Sequence, residues 1–244
     1  MGRLVQHPSP AGADRVRAAD RVRGRLLPRA ALSDDSSHGG WSHVTESPAN
    51  PGRFTFGDAE SNDVIGAMNY LTQRSAALRY GAVGFSMGGE TVLYAAARDR
   101  RLEAVVTTDT FAEVRTVAPS FLSASTGLPW LLIVPLLSSA EHLHGVPLAR
   151  GRAIDVVSAI PPRPVLLIQN EADPIVPVDH CRRLAAAIPG SEVWITAAPP
   201  AEHPLRVSQG RWGMHTQSYK LYPEEYVERV TRFFDQRFTS TTGR

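Results

Sequence analysis

The sequence predicts an α/β fold with a mostly parallel sheet and flanking helices. Short apolar and β-branched runs alternate with helical patterns along the chain, as in residues 80–85, 90–97 and 104–108. Strand, helix and strand in this order imply parallel strands joined by right-handed crossovers. The chain has 244 residues, of which 43% are hydrophobic and 20% charged, so it is long enough for one such domain with a substantial core.

Charge and composition exclude several classes of protein. The formal net charge is +2, and residues 1–29 hold seven Arg against two Asp, which leaves the main body slightly acidic. A body of this charge does not attract nucleic acid. Cys181 is the only cysteine, so no intrachain disulfide forms, and the longest apolar run, residues 130–137, is too short for a bilayer. With no visible signal peptide, we expect a cytoplasmic protein without nucleic acid or membrane partners.

Residues 1–52 are predicted to form a poorly structured, Arg-rich segment. The pattern of residues 13–17 recurs at 19–23, with a period of six that suits neither a helix face nor a strand face, and loop-like stretches follow. A targeting or polyanion-binding role for this tail is the alternative. The folded domain is predicted over residues 53–240.

The first helix is predicted over residues 57–74. It is followed by a strand over residues 80–85, a helix over residues 90–97 and a buried strand over residues 104–108. Residues 110–160 then interrupt the alternation with apolar helical stretches in which several prolines, Pro135 among them, act as breaks. They predict either an extra pair of helices packed on the domain or a small helical cap that shapes an apolar substrate pocket. The core face of the first helix is predicted to carry Val64, Ile65, Met68 and Leu71.

The alternation resumes after residue 160. Strands are predicted at 164–168 and 192–196, with a helix over 178–188 between them. The C-terminal helix begins at Pro223, because proline suits the first position of a helix. Its buried face is predicted to carry Tyr226, Val230, Phe233 and Phe234.

The most informative motif is Gly84-Phe85-Ser86-Met87-Gly88, which lies between a predicted strand and a predicted helix. A strand that turns into a helix within a few residues strains the turn residue and needs small neighbours, here Gly84 and Gly88. The Ser86 hydroxyl would then stand at the carboxyl end of the strand, beside the free N–H groups of the helix. Read without its context, the motif is equally that of a loop serine between two glycines; the strand and helix around it favour a nucleophile.

These residues resemble the nucleophile elbow of the α/β-hydrolase superfamily, in particular the branch of dienelactone hydrolases and prolyl-oligopeptidase catalytic domains. The resemblance covers about residues 53–240 and implies a serine hydrolase that cleaves a small ester, thioester or amide through an acyl-Ser86 intermediate, with no cofactor. Members commonly carry a cap where this chain has residues 110–160, which favours the cap interpretation. Three further histidines are expected at the surface or in the cap, with no metal-binding spacing: His142, His144 and His180.

Acyl transfer by serine needs a base and a carboxylate that orients the base. Asp173 follows a buried parallel strand, where site residues belong, and its surroundings resemble the acid loop of the superfamily. The alternative role for Asp173 is to cap the next helix, although Asp179 is closer to that position. Glu171 is the second candidate for the acid.

The base is predicted to be a histidine, because Lys220 is the only lysine. His215 lies in a segment that resembles the histidine loop of the superfamily and runs into the final helix. His203, in a proline-rich loop expected to be exposed, is the alternative. Residues 198–211 read as an insertion that lengthens the path from the last strand to His215.

The oxyanion of the tetrahedral intermediate needs N–H donors, and the backbone N–H of Met87 can supply one. The superfamily takes the second from a loop marked by a His-Gly pair, but His38-Gly39 lies too far from Ser86 for that loop, so we find no second donor. We therefore expect the N-terminal part of the sheet to be incomplete. Strand 80–85 would then be an open edge that favours a homo-oligomer, and the alternative function is a truncated, catalytically impaired member of the same fold.

Overall fold

Four parallel strands form a single sheet in the part of the chain that the structure describes. The computed structural model describes residues 55–74, 79–144 and 148–239, all within one compact unit, Val44–Arg244. The predicted segment 1–52, with His38-Gly39, lies outside the described residues. The strands are paired in sequence order and every neighbouring pair is parallel, which confirms the predicted fold class. They are β1 (Tyr80–Phe85), β2 (Leu102–Thr108), β3 (Val165–Asn170) and β4 (Glu192–Thr196).

Helices pack on both faces of this sheet. β3 is buried at every position and β2 at all but one, because the helices Ser61–Arg74, Met87–Arg98 and Val178–Ala187 cover one face and the helix Pro223–Thr239 covers the other. That burial explains the continuous apolar runs in the sequence. The described helices are α1 (Ser61–Arg74), α2 (Met87–Arg98), α3 (Val114–Thr126), α4 (Trp130–His144), α5 (Val178–Ala187), α6 (Pro204–Ser208), α7 (Ser218–Leu221) and α8 (Pro223–Thr239).

The strand register brings the carboxyl ends of all four strands to one edge of the sheet. Phe85 pairs with Thr108, Thr108 pairs with Ile168, and Asn170 pairs with Thr196. The loops that follow β1, β2 and β3 therefore begin side by side. This is the position at which parallel α/β sheets hold their functional residues.

Helix α1 begins later than the sequence indicates, at Ser61 instead of residue 57. The backbone takes positive φ angles of 55° at Phe56 and 100° at Gly57, and a helix cannot pass through that conformation. Glu60 accepts hydrogen bonds from the N–H groups of Thr55 and Gly57 and so stabilises the turn before the helix. The prediction that Leu71 belongs to the core face was wrong, because this side chain is 43% exposed.

The 110–160 segment contains the predicted pair of helices, α3 and α4. The prediction of a break at Pro135 was wrong, because Pro135 lies inside α4; a proline within a helix removes one N–H donor and can bend the helix without ending it.

Among the described residues, no single helix has both the length and the apolar composition to cross a membrane. Helices α3 and α4 reach that composition only as a pair, and they are bent by 119° at their junction.

His180 ties this segment to the rest of the domain, and the expectation that it lies at the surface or in the cap was wrong. It is buried on α5, where Nδ1 accepts the N–H of Ala112 at 3.1 Å and Nε2 lies 3.3 Å from the Thr116 hydroxyl. Burial lowers the pKa of His180, with a further contribution from Arg183. The ring is therefore kept neutral, as an acceptor at Nδ1 must be.

Glu90 is a buried acid on α2, the helix that follows β1. Its side chain is 0% exposed, Oε1 accepts the N–H of Ala153 at 3.2 Å, and Oε2 has no hydrogen-bond partner among the described residues. Burial raises the pKa of Glu90 well above its usual range, the Ala153 hydrogen bond lowers it in part, and the nearby Glu60 and Asp58 carboxylates raise it further. The side chain is therefore held in its neutral form.

We expect Glu90→Gln to stabilise the fold increasingly as pH rises. In the folded chain the raised pKa keeps this carboxyl protonated at pH values where it ionises in the unfolded chain, above its ordinary pKa of 4.5. In the window between the two pKa values the wild-type chain therefore unfolds more readily as pH rises. Each pH unit in that window lowers its free energy of unfolding by about 1.4 kcal/mol. Urea denaturation at about pH 5 and about pH 8 measures the difference. Glu228→Gln, at an exposed position on α8, is the control, and a response of Glu90→Gln equal to that of the control would contradict the assignment.

Candidate active site

The turn between β1 and α2 has the strained geometry that its motif predicts. Ser86 adopts φ 50° and ψ −121°, a conformation that costs about 1–3 kcal/mol for a residue other than glycine. Its N–H donates to the carbonyl of Thr108 at 2.9 Å, and its carbonyl accepts the N–H groups of Gly89 and Glu90 at 3.0 and 3.2 Å. These backbone contacts hold Ser86 between the sheet and the first turn of the helix.

Glycines allow this turn to form, although the prediction named Gly88 and the structure requires Gly89 instead. A Cβ on Gly84 would overlap the Gly88 carbonyl oxygen, and a Cβ on Gly89 would overlap the Thr110 hydroxyl oxygen. A Cβ on Gly88 would meet nothing within 4 Å. The clearance that the sequence analysis assigned to Gly84 and Gly88 is thus needed at Gly84 and Gly89, because it is the backbone of residue 88 that approaches β1.

The structure brings Ser86, Asp173 and His215 together. His215 Nε2 lies 2.9 Å from Ser86 Oγ, and His215 Nδ1 lies 2.7 Å from Asp173 Oδ2. Both Asp173 and His215 are only 5% exposed. The carboxylate accepts a hydrogen bond from the Nδ1–H group of His215, which leaves Nε2 free to accept a hydrogen bond from the Ser86 hydroxyl.

The acid loop fixes the orientation of Asp173. Its other oxygen, Oδ1, accepts the N–H groups of Ile175 and Val176 at 2.8 and 2.9 Å. The residue that precedes α5 as its N-cap is Pro177, so Asp173 does not cap that helix. The second candidate, Glu171, is exposed and contacts the N–H of Ala198 at 3.4 Å.

The histidine loop is shaped by the segment that the sequence marks as an insertion. Residues 198–211 include helix α6 and lead into a 3₁₀ turn over Gly210–Trp212. Gly213 follows with φ 51°, and a Cβ at this position would press against the Pro174 ring at 2.9 Å. His203, expected in an exposed loop, is the N-cap of α6 and accepts the N–H of Leu205 at 3.3 Å, so its Nδ1 already has a structural role.

Asp109 was missed by the sequence analysis. It directly follows β2, is 0% exposed and has φ 50°. Its Oδ1 accepts the N–H of Asn170 and its Oδ2 accepts the N–H of Thr216, both at 2.8 Å. Burial raises the pKa of Asp109 well above its usual range, and the charge of Asp173 adds to this effect, while the two N–H donors lower it in part. The rule that identified Asp173, an acid at the carboxyl end of a buried strand, would have found it.

One oxygen or nitrogen atom from each of Asp109, Asp173 and His215 lies within 4.8 Å of the others. A spacing of this kind is also found in metal sites. Here, however, both Asp109 oxygens accept backbone N–H groups, and Asp173 accepts two backbone N–H groups and the imidazole. Every carboxylate oxygen in this group thus already accepts at least one hydrogen bond, and the alignment of Asp173, His215 and Ser86 suits proton transfer.

Apolar side chains surround the site. Met87, next to Ser86, and Trp212, whose ring centroid lies 6.2 Å from that of His215, pack on one buried cluster. Phe121 of α3 meets the Trp212 ring edge-on at 5.4 Å. The 110–160 segment therefore contributes to the apolar surroundings of the histidine. The buried members of the cluster are Phe111, Val114, Val117, Ala118, Leu148, Ile175 and Val176.

Comparison with solved structures finds the same fold. The esterase Pf2001 of Pyrococcus furiosus matches with a TM-score of 0.57 and 19% identity over 78% of this chain and 66% of its own, so this chain spans slightly less than two thirds of that esterase. The α/β hydrolase GrgF of Penicillium sp. sh18 matches with a TM-score of 0.51 and 15% identity over 74% of this chain and 72% of its own. The comparison with curated protein sequences found no match.

A family model places the chain more narrowly than these structures do. Residues 40–241 match the model of the prolyl oligopeptidase family. That range includes β1 to β4, the elbow turn and the loops that carry Asp173 and His215. Because the match covers most of the chain, this protein belongs to the prolyl oligopeptidase family, within the α/β-hydrolase superfamily.

Proposed function

We propose that the protein hydrolyses an ester, thioester or amide of a small acyl substrate through an acyl-Ser86 intermediate. The observation that carries the proposal is the continuous hydrogen-bonded line from Ser86 Oγ through both ring nitrogens of His215 to Asp173. Each distance lies within the range at which a proton can pass between heavy atoms. The order of the three residues along the chain is also that of the superfamily.

In the first half of the reaction, His215 Nε2 takes the proton of Ser86 as Oγ bonds to the substrate carbonyl carbon. Asp173 stabilises the imidazolium through Nδ1 without taking its proton. The carbonyl oxygen becomes an oxyanion, and the N–H of Met87, the first residue of α2, is available to stabilise it. The imidazolium then gives its proton to the departing oxygen, sulfur or nitrogen, and the acyl group remains on Ser86.

In the second half, water replaces the leaving group. Its proton passes to His215 Nε2 while its oxygen bonds to the acyl carbon, and the bond to Ser86 Oγ then breaks as Oγ regains a proton. The product is a carboxylic acid. No step needs an oxidant or a second substrate besides water.

The apolar surroundings of the site support a substrate with an apolar acyl or leaving group. Met87 and Trp212 border Ser86 and His215 and belong to the same apolar cluster, which can remove apolar substrate surface from water. The family name points to a peptide bond and the Pf2001 match to an ester. Parallel assays of p-nitrophenyl esters of increasing chain length and of aminoacyl p-nitroanilides separate the two.

Labelling of the intact chain with a fluorophosphonate probe tests the proposal. Because the probe bonds to a serine oxygen that an adjacent base activates, we expect one adduct per chain, at Ser86, and none in Ser86→Ala. Ser123→Ala is the matched control, because Ser123 lies on α3 and its hydroxyl donates to the Leu128 carbonyl. An unlabelled wild-type chain, or labelling that persists in Ser86→Ala, would contradict the proposal.

A second candidate is the same fold with impaired catalysis. It is favoured by the position of β1, which pairs only with β2 among the described strands, whereas the superfamily takes an oxyanion donor from a loop beyond that side. Loss of one donor lowers the rate by about 100- to 1,000-fold. Slow but Ser86-dependent labelling would support this candidate. The homo-oligomer expected through the same edge stays a prediction.

A further inference from the structure

The residues at the end of β2 contact all three segments of the proposed triad. We call residues 108–110 the β2 exit segment. The Thr108 carbonyl accepts the Ser86 N–H at 2.9 Å, and the Thr110 hydroxyl donates to the Ser86 carbonyl at 3.2 Å. Between them, Asp109 reaches the other two segments through its carboxylate. Both neighbours of Asp109 thus contact the nucleophile, and Asp109 itself contacts the acid and base loops.

The two hydrogen bonds of Asp109 are made at sensitive positions. Asn170 is the last residue of β3 and lies three residues before Asp173 in the acid loop, and Thr216 directly follows His215. Thr216 has φ 56°, an uncommon conformation for a residue with a branched Cβ. Its N–H has to be held in place for the loop to present the imidazole, and the Asp109 carboxylate accepts that N–H.

We propose that Asp109 is a positioning residue that joins the acid loop to the histidine loop, so that the imidazole of His215 stays aligned between Asp173 and Ser86. The inference rests on the proposed function. Asp109 does not exchange a proton with the substrate or touch it. It acts by fixing the relative position of the two loops that carry Asp173 and His215, which are 42 residues apart in the chain.

The surroundings of Asp109 destabilise the charged form of its side chain. Burial and the neighbouring Asp173 raise the pKa of Asp109, so the charged form is destabilised and a neutral side chain of the same shape would be easier to bury. The backbone at φ 50° adds to the cost. Strongly shifted pKa values and strained backbone of this kind cluster at functional sites.

Asp109→Asn separates positioning from stability. Asparagine has the same shape and accepts positive φ, and it carries no charge that burial would penalise. Its amide, however, has one acceptor oxygen, and its NH₂ group would face either the Asn170 N–H or the Thr216 N–H, donor against donor. One of the two connections is therefore lost. Asp109→Gly, which also accepts positive φ, removes both connections.

The experiment compares the full-length wild type, Asp109→Asn and Asp109→Gly. We expect Asp109→Asn to lower kcat for a p-nitrophenyl ester, and the rate of fluorophosphonate labelling, by about 10- to 100-fold with KM within about twofold, because displacement of a reacting group by about 1 Å has an effect of this size. Asp109→Gly should lower kcat further. Amide hydrogen exchange, measured by NMR, should be at least about tenfold faster at Asn170 or Thr216 in the Asn variant.

Asp99→Asn is the control for loss of a buried carboxylate. Asp99 is the C-cap of α2 and accepts hydrogen bonds from Arg101, at the opposite end of that helix from Ser86. We expect it to lower stability and leave kcat unchanged. Melting curves of all variants report the folded fraction, and kcat is expressed per folded chain.

The outcomes separate this inference from the proposed function. Unchanged kcat in Asp109→Asn, unchanged exchange at both amides, or a failure of both Asp109 variants to fold would overturn the positioning role. If the wild type itself neither labels nor turns over ester, the proposed function fails, and exchange at Asn170 and Thr216 still decides whether Asp109 joins the loops. Lower kcat with faster exchange and an unchanged melting temperature would support it.

Discussion

His215→Ala is expected to lower kcat for ester hydrolysis by about 10⁴- to 10⁶-fold, the range found when the base of a serine triad is removed. Without the imidazole, the Ser86 hydroxyl has no acceptor at 2.9 Å and keeps its proton at neutral pH. KM should change little, because His215 is buried and contributes mainly to the chemical step. Steady-state assays and the rate of fluorophosphonate labelling measure the loss.

His203→Ala is the matched control for this prediction. It removes the other candidate base and a hydrogen bond from the Leu205 N–H at the start of α6. We expect a small loss of stability, about 1 kcal/mol for a helix cap, and kcat within about twofold of wild type. An inactive His203→Ala together with an active His215→Ala would reverse the assignment of the base.

Asp173→Asn is expected to lower kcat by about 10⁴-fold while the fold is retained, as for the equivalent change in a serine protease triad. The contacts of Asp173 give a specific reason. The N–H groups of Ile175 and Val176 require an acceptor at Oδ1, so the asparagine oxygen takes that position and its NH₂ faces His215 Nδ1. The imidazole must then carry its proton on Nε2, and it cannot accept the proton of Ser86.

Glu171→Gln tests the second candidate acid in the same assay. Glu171 is exposed, and its contact to the Ala198 N–H at 3.4 Å is long for a hydrogen bond. We expect kcat within about twofold of wild type. NMR of the Nδ1 proton, which should disappear in Asp173→Asn and persist in Glu171→Gln, gives an independent readout of the tautomer. A large loss of kcat in Glu171→Gln would mean that the acid has been assigned to the wrong residue.

Much of the fold could be predicted because the patterns that specify it are local. The span of β4 is as predicted, residues 192–196, and the C-terminal helix begins at Pro223. The strand, glycine and serine pattern around Ser86 also lies within a few residues, so the elbow could be read without knowledge of anything distant. The start of α1 could not be read in this way, because it depends on the backbone conformation at Phe56 and Gly57.

The sequence by itself determined the fold class, the strand, turn and helix around Ser86, and the candidates Ser86, Asp173 and His215, since short-range periodicity and chain order carry that information. Only the tertiary structure distinguished the surroundings of His215 from those of His203, and it alone revealed which groups Asp109 contacts. The two hydrogen bonds of Asp109 connect it to residues 61 and 107 positions away. No local pattern records such contacts, because the strand register and the burial of the sheet decide which distant N–H groups meet a carboxylate at the edge of β2.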